Sequence, residues 1–213
     1  MKRLGIVGGI SPESTVEYYR LLAAEHPAIV ISSIDVNRLI AIMSAGDLDA
    51  LADWISAELQ RLARAGAEIA IIAANTPHIV FDELQRRSPI PLVSIVDATC
   101  DEVAARGLRR PALFGTRYTM QGRFFPDQFI RPSPDEQTLI HDIYLGELVK
   151  GVFRDESRAR LLAVIDAMRE RDGIDSVILG GTELPLILHE ASVPLLDTTR
   201  IHVAAALGRC RAT

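Results

Sequence analysis

The sequence predicts an α/β protein made of two pseudo-symmetric lobes, each a parallel-rich sheet flanked by helices. Three observations lead there. Short apolar runs alternate with longer amphipathic segments, the pattern of βα units. The chain has 213 residues, 48% hydrophobic and 24% charged, enough for one large domain or two small ones. Finally, two stretches of the first half recur in the second half in the same order. "RLGIVGGISP" is matched by "RPALFGTRYT", and "AIIAANTPHIV" by "SVILGGTELPLI". We read a duplication, with 1–97 as the first lobe, 98–198 as the second, and a C-terminal helix from about Thr199 that returns to the first.

The elements follow in order. "RLGIVGG" reads as a first strand. Ser11 is a helix cap with Pro12 at the first helical position, and the helix runs to about Glu25. "AIVISSID" is a second strand. From Asp47, the apolar residues Leu48, Leu51, Ile55, Leu59 and Leu62 fall at helical spacing, and Gly66 stops the helix. "EIAIIAAN" is a third strand, followed by a helix to about Arg87. "IPLVSIV" is expected as a fourth strand, with Asp97 capping a helix to about Arg106.

Composition excludes several classes of function. A net charge of -5 and a pI near 5.6, with no basic stripe, argue against nucleic acid as a partner. No apolar run is long enough to cross a membrane, and "MKRLGIVGGI" lacks the long apolar region and cleavage site of a leader. The two cysteines, Cys100 and Cys210, form neither a disulfide framework nor a zinc pattern. A cytoplasmic location is expected.

In parallel sheets, ligands bind beyond the C-terminal strand ends, where helix N-termini offer free N–H groups. Four such ends carry polar residues: Gly8-Gly9-Ile10-Ser11, Ala74-Asn75-Thr76, Gly115-Thr116-Arg117-Tyr118-Thr119 and Gly180-Gly181-Thr182-Glu183. Hydroxyls, an amide and open N–H groups suit a carboxylate. Each motif alone is also what turns and caps require; it is the set of four that points to an anion site.

"GIVGGISPESTVEYYR", "ANTPH", "PLVSIVDAT", "LFGTRYTM" and "GGTELPLIL" together resemble the aspartate/glutamate racemase family, in the family's order and over most of the chain. The resemblance implies two α/β lobes with a site between them, small acidic amino acids or related carboxylates as substrates, no metal or pyridoxal cofactor, and a homodimer. It also implies two acid–base thiols, one per lobe, placed immediately before "NT" and immediately before "TE". Here those positions hold Ala74 and Gly181, neither of which carries a proton. Cys100 falls inside a helix rather than at a strand end, and Cys210 lies in the terminal helix.

Of the remaining titratable residues, Glu183 and Tyr118 are the first choices for catalysis, because each lies near a family site position. His78, in the "NTxH" pattern, and His189 have ordinary structural explanations. By resemblance, Asn75, Thr76, Thr116 and Thr182 hold the substrate carboxylate and its neighbours, with Ser11 beside them. Lys150 in "GELVKG" is a candidate for a distal carboxylate, and Arg38 in "DVNRL" another anion partner. The connection between the first helix and "AIVISSID" and the loop "RPSPDEQ" are both short relative to the family, which loosens any transfer of substrate identity. These residues favour thiol-independent isomerase- or lyase-type chemistry on a small carboxylate. Non-catalytic carboxylate binding is the first alternative, and racemisation despite the missing thiols the second.

Overall fold

The computed structural model describes residues 1–25 and 28–212. By its contacts the chain divides into Met1–Ala98 with His202–Thr213, and Thr99–Ile201. The short connection ahead of the second strand falls partly outside the described residues.

In the first unit, β1 (Leu4–Gly8), β2 (Ile29–Ser33) and β3 (Ile69–Ile72) form a parallel sheet in the order β2-β1-β3. Every residue of β1 and β3 is buried, as a parallel strand covered on both faces requires, whereas the edge strand β2 is partly exposed. The helix α1 (Pro12–Ala23) starts at the Ser11 cap and ends slightly before Glu25. Leu51, Ile55, Leu59 and Leu62 form the buried stripe of α3 (Leu48–Arg64).

Between β2 and α3 lies a helix that the sequence reading passes over, α2 (Val36–Ala45). Its signals are local: the Asp35 side chain accepts from the Asn37 N–H at 2.9 Å, and Gly46 ends the helix in the left-handed region at φ 68°. After β3, a 3₁₀ turn (Thr76–Val80) leads into α4 (Phe81–Arg87).

The expected fourth strand is a correction. "IPLVSIV" contributes a single parallel bridge, Ala70 to Leu92, and α5 (Ile95–Ala105) begins inside the run. Pro91 has no N–H to extend a ladder, and the Ser94 hydroxyl accepts from the Asp97 N–H at 3.0 Å. Ser94, not Asp97, therefore caps this helix.

In the second unit, β4 (Pro111–Gly115), β5 (Ser176–Gly180) and β6 (Leu195–Asp197) form a parallel sheet in the order β4-β5-β6. One further parallel bridge joins Ala112 to Ile130. The helices are α6 (Arg117–Gln121), α7 (Pro134–Gly146) and α8 (Asp155–Asp172). "RPSPDEQ" is a helix start as well as a connection: Ser133 and Glu136 form a capping box with Pro134 at the first helical position. Phe114, Ile140, Tyr144, Leu161, Ile165 and Leu179 belong to the core of this unit.

The last helix, α9 (Thr198–Arg211), carries Val203, Ala206, Leu207 and Cys210 into a core with Leu4, Ile6, Tyr18 and Leu22 of the first unit. The Lys2 N–H donates to the Cys210 carbonyl at 3.0 Å, tying the chain's start to this helix. Among the described residues no helix is long and apolar enough to cross a membrane.

Candidate functional site

In the first unit, the exits of β1 and β3 lie side by side, since Val7 pairs with Ile72. This brings the Ser11 segment together with Asn75 and Thr76. Gly9 sits at φ 84°, and a Cβ there would lie 2.5 Å from the Ile34 nitrogen, so the turn requires glycine. Its N–H donates to Thr15 Oγ1 at 2.8 Å, and that hydroxyl donates to the Ser11 carbonyl at 3.0 Å. Ser11 is buried, and its Oγ accepts from the Ser14 N–H at 3.5 Å. The Ser11 oxygen thus caps a helix, while Thr15, which sequence reasoning missed, braces the glycine turn.

At the end of β3, Ala74 and Asn75 are buried and Thr76 is half-buried. His78 Nδ1 donates to the Ala74 carbonyl at 3.0 Å, and its Nε2 accepts from the Ile95 N–H at 3.2 Å. A carbonyl only accepts and an amide only donates, so the neutral Nδ1–H tautomer fits both bonds. Burial, helped by His202, lowers the pKa of His78 to about 3. His202 is arranged likewise: Nε2 donates to the Val93 carbonyl at 2.9 Å, Nδ1 accepts from the Tyr18 hydroxyl at 2.8 Å, and burial lowers its pKa to about 4. His78 thus ties the end of β3 to the start of α5, His202 ties Val93 to Tyr18, and both are neutral at neutral pH. His78 therefore has the structural role its motif suggested.

In the second unit, Gly115 pairs with Gly180, which brings Thr116 and Thr182 to neighbouring exits. Thr116 caps α6, its hydroxyl accepting from the Thr119 N–H at 3.3 Å. Tyr118 is half-buried, and Arg117 is exposed with its N–H donating to His141 Nδ1 at 3.1 Å. Thr182 is half-buried and donates through Oγ1 to Glu183 Oε2 at 2.9 Å. Glu183 is fully buried, and the same Oε2 accepts from the Tyr144 hydroxyl. The phenol that meets Glu183 is thus Tyr144 of α7, not Tyr118. Burial, then the Glu183 charge, holds the Tyr144 pKa well above its ordinary value, so the phenol stays protonated and donates.

Tyr144 also fills the space beside position 181. A Cβ built on Gly181 would stand 2.9 Å from Tyr144 Cζ and 3.1 Å from its oxygen, closer still to Cε2. No signal in the sequence links Tyr144 to Gly181, because the pairing arises from the packing of α7 against the end of β5.

The remaining candidates have other contacts or face solvent. The Arg38 guanidinium lies over the Trp54 ring, 4.7 Å from its centroid. Lys150 is exposed at the end of a 3₁₀ turn, Leu148–Lys150, and His189 is exposed. Cys100 is half-buried within α5, and burial raises the pKa of Cys210. Among the described residues, no three His, Cys, Asp or Glu side chains are grouped to hold a metal ion. Each pair of strand ends offers hydroxyl groups, with an amide in the first unit, beside a position that has no titratable side chain.

Comparison with known proteins places this arrangement. The model of the family described as Asp/Glu/Hydantoin racemase matches residues 7–206. The chain is similar to the structure of a candidate Asp/Glu racemase from Yersinia pestis, at 32% identity over 100% of both chains with a TM-score of 0.88. It is also similar to an aspartate racemase homologue from Pyrococcus horikoshii OT3, at 32% identity over 100% of both chains with a TM-score of 0.84. The Picrophilus torridus aspartate racemase, at 21% identity over 99% of this chain and 94% of its own, shares the fold with a TM-score of 0.77.

Proposed function

Because the chain belongs to the Asp/Glu/Hydantoin racemase family, we propose that it acts on a small carboxylate, an acidic amino acid or dicarboxylate, by isomerase- or lyase-type chemistry that uses no thiol. One observation carries this reading: the strand ends hold Asn75, Thr76, Thr116 and Thr182, while Ala74 and Gly181 stand where, by resemblance, the family's motifs carry cysteine. Hydroxyl and amide donors at strand ends suit a carboxylate. In this reading they orient the substrate, Ser11 shapes the β1 exit as a cap, and Glu183 with Tyr118 provides the proton-transfer groups. Arg38 and Lys150, both exposed, are the weaker members of the binding set.

The test is turnover of acidic amino acids and short dicarboxylates in deuterated water, followed by NMR, with and without prior alkylation of thiols. We expect product from at least one carboxylate, at a rate that alkylation leaves unchanged and Glu183→Gln abolishes. Racemisation or α-proton exchange that alkylation destroys would sink the proposal.

A second reading, non-catalytic carboxylate binding, is favoured by the Glu183 geometry. A fully buried carboxylate oxygen that already accepts from Tyr144 and Thr182 is poorly placed to take a proton from a ligand. A carboxylate that raises the melting temperature and is not turned over supports this reading.

A further inference from the structure

We propose that Tyr144 is the residue that closes position 181 to any side chain, so that Gly181 is sterically imposed and the two act as a size-matched pair. The Tyr144 ring occupies the volume the next atom at 181 would need, with Cζ 2.9 Å and the hydroxyl 3.1 Å from an ideal Cβ. A flexible side chain would swing away at little cost, but Tyr144 cannot. It is 6% exposed, it packs in the core with Phe114, Leu179 and Leu184, and its hydroxyl is bound to the buried Glu183 carboxylate. Moving the ring would break that bond and leave a buried carboxylate with one donor fewer. Tyr144 is therefore a positioning residue: it holds Glu183 with its oxygen and excludes a reactive group from the β5 exit with its ring. This deepens the thiol-independent reading and rests on it for the consequence at the site, but the steric relation requires no activity.

The pair is tested by introducing Gly181→Cys into three backgrounds: wild type, Tyr144→Phe and Tyr144→Leu. Phenylalanine keeps the ring and removes the hydroxyl, whereas leucine removes the ring's outer edge. Overpacking of a close-packed core, at 213 residues, should lower the melting temperature by roughly 3–10 °C in the wild-type and phenylalanine backgrounds. In the leucine background the same change should cost under about 2 °C relative to its parent. The introduced thiol, mapped by mass spectrometry of alkylated peptides, should react faster there than in the other two. Tyr144→Met, unbranched and flexible, replaces the leucine variant if that chain does not fold. An equal thermal cost in all backgrounds, or none in the wild type, overturns the pair. Either outcome leaves the reading of function standing. Conversely, turnover of a carboxylate by the unmutated protein that thiol alkylation abolishes would overturn that reading without touching the pair.

Discussion

The two sheets share a central pair and are narrow at opposite edges. In the first, β2-β1-β3 is followed beyond β3 by the single Ala70–Leu92 bridge. In the second, β4-β5-β6 has the single Ala112–Ile130 bridge on the other side of β4. Aligning β1 with β4 and β3 with β5 puts both sheets in one four-position order, each reduced to a bridge at a different end. The central strands are buried along their whole length and carry the candidate site exits after Gly8, Ile72, Gly115 and Gly180. An edge position pairs on one side only and can be shortened without disturbing them. The Ala74 carbonyl is bound by His78, which stands beside His202, whereas Gly181 lies against Tyr144, which is bound to Glu183, so the two halves surround corresponding positions with different chemistry.

The largest expected difference between the halves is their response to acid. Imidazoles ordinarily titrate near 6.5, but His78 and His202 protonate only at about 3 and about 4 when folded. Below pH 6.5 the unfolded chain therefore binds more protons than the folded one. Their contribution to stability is complete above that value and is lost as pH falls towards the folded values, at about 1.4 kcal/mol per unit for each imidazole. Urea midpoints between pH 7.5 and 5 should fall accordingly, and NMR of both ring systems should show neutral imidazoles throughout that range. Protonated His78 in the folded protein at pH 6 would break the contrast.

Edge truncation should give the next largest effect. Leu196 in β6 is 1% exposed, and Leu196→Ala should cost about 2–5 kcal/mol in denaturant unfolding. Leu92, at the corresponding bridge, is only half-buried, and Leu92→Ala should cost about 1 kcal/mol or less. Equal costs would mean that the bridge does the work of a strand. The smallest difference is expected at the caps. Ser11→Ala and Thr116→Ala each remove a side-chain acceptor at a helix start, and each should cost about 1 kcal/mol by the same measurement. A much larger loss at one of them would point to a load beyond capping.

Much of this was legible in the sequence because local rules decide it. Apolar runs ending in Gly or Asn located β1, β3, β4 and β5, and Ser11-Pro12 located α1. "IPLVSIV" misled because periodicity cannot tell a short apolar run in a strand from one that enters a buried helix, and there Ser94 and Pro91 decide. The short helix α2 had its cap in Asp35 and its stop in Gly46, but it was too brief to stand out by period. Thr15 and Tyr144 were illegible for another reason. Their roles depend on which turn or helix packs beside a glycine, and in the case of Tyr144 that neighbour is distant in the chain. The contact of Arg38 with the Trp54 ring, between helices α2 and α3, was likewise not legible in the sequence.

The ring of Tyr144 beside Gly181 also sets an order on change. A single substitution that places a side chain at 181 meets occupied space. The passable route runs first through a smaller residue at 144, and that intermediate carries a cavity and an under-bonded Glu183. The first step of that route is thus the costly one, since it opens the space that a side chain at 181 then fills. The packing of one aromatic side chain thus makes the residue allowed at position 181 depend on the residue at 144.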